Sequence, residues 1–405
     1  MALMSVADAL ARVLDGAQPL ASESVPLLDA HGRVLAADVA ALRTQPPEDL
    51  SAMDGYAVQA ADVATVPAKL KLVGEVAAGH PFHGKVGPGE AARIFTGGVV
   101  PPGADTIVIQ ENTKRDGDAV LVTTPSAAGR HIRRAGLDFA QGNTLLAKGR
   151  RLTDRDLMLA AAMNHPTVPV HRRPKVAVLG TGDELKPPGS NPGPGEIVYS
   201  NGFALMALAR SEGAEVIDLG IVPDRIEDTV VAIRRARAAG ADILLTSGGA
   251  SVGDYDLVQK GLAAEGLKLS FWKVALRPGR PMMHGRLGSM QVVGLPGNPV
   301  SAFVCALLFL VPLIRALAGR KDVEPQSESA VLGRDLPEND ERADYLRATL
   351  TPGESGAMIA TPLPTQDSSM IAALAKADCL LVREPFAPAA KAGTSCAILK
   401  LTPAF

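Results

Sequence analysis

Residues 243–256 read Ile-Leu-Leu-Thr-Ser-Gly-Gly-Ala-Ser-Val-Gly-Asp-Tyr-Asp. Residues 243–245 form a short apolar run of the kind that makes a buried strand. A loop of small residues comes next and ends in carboxylates. The same arrangement occurs twice more. Residues 176–179 lead into Gly180-Thr-Gly-Asp183-Glu184, and residues 291–295 lead into Pro296-Gly-Asn-Pro-Val-Ser301. A further strand falls at 215–219. Helical patterns lie between and after these strands at 203–210, 228–239, 257–264 and 300–317. Strand–helix alternation at this spacing predicts parallel βαβ units with helices on both faces. The centre of the chain, 173–322, therefore reads as a doubly wound, mostly parallel α/β domain.

The texture differs on either side. Ser5 can cap a helix whose Val6, Ala9, Leu10 and Val13 share one face, so 1–20 reads as an N-terminal helix packing on the α/β domain. From 43 to 142, β-prone runs (69–76, 93–95, 106–110, 119–123) alternate with Gly/Pro turns, predicting an insertion-like β-rich domain. Residues 21–42 and 143–172 flank it as a linking domain. Thr153 with Asp156 makes a capping-box pattern ahead of a helix at 157–163. Past 323 the pattern returns to strands (345–350, 358–361, 380–382, 396–401), predicting a small C-terminal β domain. The whole is a multidomain α/β chain with β-rich domains.

Composition sets outer limits. The 405 residues are 47% hydrophobic and 21% charged, the balance of a globular core. A net charge of −2 gives no bulk attraction to nucleic acid or a membrane surface, and 3% aromatics leaves few stacking platforms. The three cysteines, Cys305, Cys379 and Cys396, lack metal-ligand spacing and read as reduced thiols of a cytoplasmic protein. The first fifteen residues show no signal-peptide pattern. Residues 287–314 are uncharged and long enough to span a bilayer, but Pro296-Gly-Asn-Pro299 interrupts them. The remainder, 300–314, is too short, so a buried strand, a turn and a buried helix are expected.

Ligands of open parallel sheets bind beyond the carboxyl ends of the strands. Glycines there let backbone N–H groups approach an oxyanion, as around Ser247, Gly248, Gly249 and Ser251. The Pro296–Pro299 loop, with Gly297 and Asn298, opens a helix whose first amides favour anions. Acids stand in the same loops: Asp183, Glu184, Asp254 and Asp256, with Asp224 after the 215–219 strand. Carboxylates beside an anionic ligand call for a hard cation, and Mg2+ suits that place. Lys273, Arg277 and Arg280 form a cationic strip whose guanidinium forks suit a tetrahedral oxyanion. Arg130, Arg133 and Arg134, followed by Asp138, read first as surface. Asp54-Gly55 is first a turn signal, though a turn also exposes a carboxylate.

Taken in order, seven segments resemble the molybdopterin molybdenumtransferase family, to which the E domain of gephyrin belongs. They are SAMDGYA (51–57), FTGG with PPGAD (95–105), RRAGLD (133–138), GTGDEL (180–185), TSGGASVGDYD (246–256), RPGRP (277–281) and LPGNPVS (295–301). The resemblance covers almost the whole chain. It implies that adenylated molybdopterin and molybdate yield molybdenum cofactor and AMP with Mg2+. It also implies a homodimer with the site between the β-rich domain of one subunit and the α/β domain of the other. The matching positions imply roles in the site for Asp54, Thr96, Asp138, Glu184, Asp224, Asp256, Lys273, Arg277, Pro296, Pro299 and Arg347. Glu184 and Asp256 would hold or orient the metal, and Arg280 would contact substrate. The family often carries lysine where Arg277 and Arg280 stand. Gln366-Asp-Ser-Ser369 departs from the expected Gln-Gly-Ser and receives no role.

Three other readings have sequence support. Gly249-Ala-Ser251-Val-Gly253, with His284 downstream, matches the G-x-S-x-G of hydrolases. A scaffold role and an adenylyltransferase-like role for the α/β domain are the others.

Overall fold

The computed structural model describes residues 3–248, 257–353 and 356–401. Its central sheet has six strands in the order Glu215–Val222, Lys175–Thr181, Ile243–Ser247, Met290–Leu295, Met283–Leu287, Lys268–Trp272. The first four are parallel, and the last two join by antiparallel pairing, with Met283–Leu287 running opposite to the other five. Alternate residues of each strand serve opposite faces. Val176, Val178, Ile243, Leu245 and Val293 enter one core cluster with Ala9, Val13 and the helices Asn201–Ser211 and Pro299–Leu317. Ala177, Leu179, Leu244 and Val292 enter the other, with Ile226–Ala238 and Leu257–Ala264. A strand with two buried faces has no polar side to expose, which is why these runs read as continuous apolar stretches.

The sequence pattern does not disclose the last two strands. Met283–Leu287 contains His, Gly and Arg, and three of the five residues of Lys268–Trp272 are exposed. One signal was available. Leu287 pairs with Met290 across Gly288-Ser289, a two-residue hairpin turn of the Gly-X kind.

The uncharged segment folds as a buried strand, a turn and a buried helix, as expected. The helix runs on past the uncharged stretch to Leu317, within one residue of the expected 300–317. Pro299–Leu317 has 19 residues and a mean hydropathy of 2.4, so its length does not disqualify it as a membrane span. Burial of 78% of its apolar window inside the chain is what marks it as a core helix.

The β-rich region is a six-stranded sheet in the order Thr106–Ile109, Gly55–Val58, Glu90–Ile94, Ala68–Val76, Ala119–Val122, Thr113–Asp116. Gly55 begins a strand here. A Cβ on Gly55 would sit 2.0 Å from the Val108 carbonyl oxygen, so close strand approach requires the glycine. Ser22–Pro26 pairs antiparallel with Thr167–His171, and Val39–Ala40 with Thr144–Leu146, over a core of Leu35, Phe139, Leu152 and Met163. The capping box of Thr153 and Asp156 opens the helix Asp154–Ala162. At the C-terminus, Ala343–Pro352 pairs with both Met358–Pro362 and Cys379–Arg383.

Candidate functional site

The four parallel strands end on one edge of the sheet, and a cavity of about 840 Å3 lies there. Each strand end contributes to its wall. Thr181, Gly182 and Glu184 stand at the end of Lys175–Thr181, and Asp224 lies just past Glu215–Val222. Ser247 and Gly248 stand at the end of Ile243–Ser247. Pro296, Gly297, Asn298 and Pro299 come after Met290–Leu295 and open the core helix. Gly248 has φ +99°, and a Cβ there would stand 2.6 Å from the Thr181 carbonyl oxygen. Any side chain would force these two strand ends apart.

Two residues that the motifs did not single out shape the cavity. Asn201, at the start of its helix, donates from Nδ2 to Ser247 Oγ (2.9 Å) and to the Gly297 carbonyl (2.8 Å). One side-chain amide thus ties two glycine loops together. Tyr199 is 6% exposed and lines the cavity, with its hydroxyl pushed up to about 12 by burial and then by Asp218. It stays a protonated donor at neutral pH. Neither residue carries a strong local signal, since each lies just before or at the start of a helix. Asp183 and Asp224 fix their loops reciprocally. The Asp224 amide donates to Asp183 Oδ1 (3.1 Å), and the Asp183 amide donates to Asp224 Oδ2 (3.4 Å).

The C-terminal domain supplies one wall. Ser369 and Ile371 line the cavity, and Asn298 Nδ2 donates to Ser368 Oγ (2.8 Å). The segment 366–369, given no role from sequence, is therefore packed against the Asn298 loop. Arg347 holds it there. It is fully buried, and Nη2 donates to the Asp367 carbonyl (2.9 Å), while Gln366 bonds the Arg347 backbone in both directions (2.9 Å each). Arg347 was expected to touch substrate. It is absent from the cavity wall and lies behind the 366–369 loop.

Arg277 is also placed differently from expectation. Its Nε donates to Asp344 Oδ1 (2.5 Å), Nη1 to Asp340 Oδ2 (2.9 Å) and Nη2 to Asn339 Oδ1 (3.0 Å). The fork expected to clamp an anion is taken up by the C-terminal domain, and Arg277 is not among the lining residues. Asp344, Asp340 and burial act on Arg277, the Asp344 bond most strongly, and the net effect raises its pKa. Arg280 is exposed, with no side-chain partner among the described residues, and its neighbour Pro281 lines the cavity. Lys273 has φ +75° and rests its ammonium over the Trp272 ring (4.9 Å).

Asp54, Thr96 and Asp138 belong to the β-rich region and are absent from the cavity wall. Asp54 Oδ1 accepts from both the amide and the hydroxyl of Thr96 (2.8 Å each), which holds its carboxyl below the usual range. Asp138 is exposed. Gly249, Ser251, Asp254 and Asp256 lie outside the described residues. His284, the histidine of the hydrolase reading, is 1% exposed on an antiparallel strand, bonded to Gln291 (3.0 Å), and away from this cavity. Among the described residues no cluster of three or more metal-ligating side chains occurs.

The architecture is that of a multidomain α/β protein with β-rich domains. Its cavity lies at the carboxyl edge of the parallel sheet and is walled by glycine-bearing strand-end loops, with the carboxylates Glu184 and Asp224 beside them. Three family models match in order: "MoeA N-terminal region (domain I and II)" over residues 4–164, "Probable molybdopterin binding domain" over 177–316, and "MoeA C-terminal region (domain IV)" over 329–401. A molybdopterin molybdenumtransferase of a Nostoc strain is 39% identical, covering 81% of this chain and 77% of the relative. That of Haemophilus influenzae is 35% identical, covering 90% of each. The crystal structure of a molybdopterin biosynthesis protein from Pyrococcus horikosii superposes with a TM-score of 0.86 at 29% identity, covering 99% of this chain and 100% of that one. The chain belongs to the molybdopterin molybdenumtransferase family.

Proposed function

We propose that this chain inserts molybdenum from molybdate into adenylated molybdopterin, releasing AMP, as a step of molybdenum cofactor biosynthesis. The observation that carries the reading is convergence. Four strand-end loops and one loop of the C-terminal domain meet around a single cavity. The amides near Gly248 and Gly297 cradle phosphate oxygens, and the Tyr199 hydroxyl donates to the same guest. Asn201 holds the two loops at fixed spacing. Lys273 and Arg280 screen the repulsion between two anionic reactants. Positioning and charge neutralisation then supply most of the barrier lowering.

The oxygen donors fit a hard cation. Glu184 and Asp224 line the cavity beside the phosphate-binding loops, and Mg2+ needs only one or two carboxylates with phosphate oxygens. Glu184 with Asp256 would hold Mg2+, whose charge would offset that of the pyrophosphate. The homodimer is part of the same reading. Asp54 and Thr96 form a preorganised pair, yet they do not line this chain's own cavity, which suits delivery from a second subunit. A cytoplasmic location fits the reduced thiols.

The test is molybdate-dependent AMP release by the purified chain from adenylated molybdopterin. Absence of release, with substrate bound, would end the enzymatic reading and favour a scaffold. Full activity in Asp256→Asn would remove the metal role. Mixing inactive Asp54→Asn and Glu184→Gln chains should restore activity if the site is shared between subunits. No restoration would place both residues in one chain's site.

A further inference from the structure

A second groove, of about 440 Å3, shares no lining residue with the cavity above. It lies between the end of the N-terminal helix Val6–Leu14 and the strands Lys268–Trp272 and Met283–Leu287. Arg12, Lys268 and Arg286 line it against one carboxylate, Asp15. Asp15 is 83% exposed and 4.0 Å from Arg286. Arg286 donates to the Asp15 carbonyl, and Arg12 to the Ser270 carbonyl (3.1 Å). Each guanidinium keeps further donors, since a fork carries five N–H groups. The Lys268 ammonium has no partner among the described residues.

His284 makes the wall specific. It is 1% exposed and lines the groove. Its Nε2 donates to Gln291 Oε1 (3.0 Å), whereas Nδ1 has no partner. A buried polar atom without a partner costs free energy that a ligand can restore. Burial lowers the His284 pKa, so the ring is neutral and carries one N–H. The one N–H is on Nε2, facing the Gln291 oxygen, so Nδ1 is an acceptor without a partner beside the groove.

We infer that this groove is a second anion site that binds a phosphate dianion, free or borne on a small organic body. Two guanidinium forks and an ammonium around one space suit a tetrahedral oxyanion. The volume leaves room for more than the oxyanion itself, since a water's share of liquid is about 30 Å3. The inference does not rest on the reaction proposed above, and its test reads binding alone.

The full chain is labelled with 15N at its seven histidines, and His284→Phe assigns the His284 signal. Inorganic phosphate and glycerol 1-phosphate are titrated separately. The expected result is a saturable shift of the His284 signal with at least one probe. Apparent affinity should weaken at least tenfold in Lys268→Ala with Arg286→Ala. Should that pair unfold, Arg12→Gln with Lys268→Gln keeps the Arg286–Asp15 tie and asks the same question. Tighter binding of the phosphomonoester assigns an organic phosphate, and tighter binding of phosphate assigns the free ion. An unmoved His284 signal with both probes overturns the inference, as does unchanged affinity in a folded double variant.

Discussion

Asn201→Asp is the sharpest perturbation of the cavity. The change keeps size and shape but replaces an amide donor with an acceptor-only carboxylate. Both native bonds, to Ser247 Oγ at 2.9 Å and to the Gly297 carbonyl at 2.8 Å, come from Nδ2. The serine hydroxyl can rotate and donate instead. The Gly297 carbonyl cannot, and it would face a negative charge. A neutral hydrogen bond contributes about 0.5–1.5 kcal/mol, so losing one or two costs about 1–3 kcal/mol. At about 1.4 kcal/mol per tenfold, that corresponds to a five- to 150-fold loss of kcat/KM, before repulsion of an anionic substrate is added. The assay is AMP release at saturating molybdate, with thermal unfolding measured alongside. Asn201→Ala should fall less than Asn201→Asp, because it removes the donor without adding charge. An Asn201→Asp chain within about threefold of the parent kcat/KM would refute the claim that this amide sets the loop spacing.

Gly248→Ala should lower activity more than global stability, because its Cβ would press on the Thr181 carbonyl at a positive φ. The strain is about 1–2 kcal/mol before the clash, and a parent-like kcat would contradict the close approach. Arg277→Ala should destabilise the docking of the C-terminal domain by about 3 kcal/mol, since it leaves the 8%-exposed Asp344 side chain without its partner. Differential scanning calorimetry of that variant should show an earlier transition, and an unchanged profile would argue against the clasp. Asp340 is held down at about 2, by Arg342 first and by Arg277 among the weaker causes. A depressed folded-state pKa stabilises the fold above the unfolded value and ceases to do so as pH falls through the folded one. The stability gap between the parent and Asp340→Asn should therefore be present at pH 7 and close between about pH 4 and pH 2. A gap independent of pH would reject the ionic origin.

Much of this molecule was legible in its sequence because local chemistry decided it. Both faces of the parallel strands are buried, so 176–179, 243–245 and 291–295 appear as unbroken apolar runs ending in glycine loops. Caps such as Ser5 and the Thr153–Asp156 box act within one turn, and so announce their helices. The order of the seven family segments was likewise enough to name the fold and the family. What the sequence could not disclose is which partner each side chain finds across the fold. Arg277 reads as an anion clamp until Asp344, 67 positions away, takes its fork. Arg347 reads as a ligand contact until burial turns it toward the carbonyl of Asp367. Asn201 reads as an ordinary helix start until it bridges loops 46 and 96 residues away. The strand Met283–Leu287 carries no alternating pattern, and only pairing with its neighbours makes it one. Apolar periodicity and capping are short-range properties of the chain, whereas the pairing of a charge or an amide is settled by tertiary proximity.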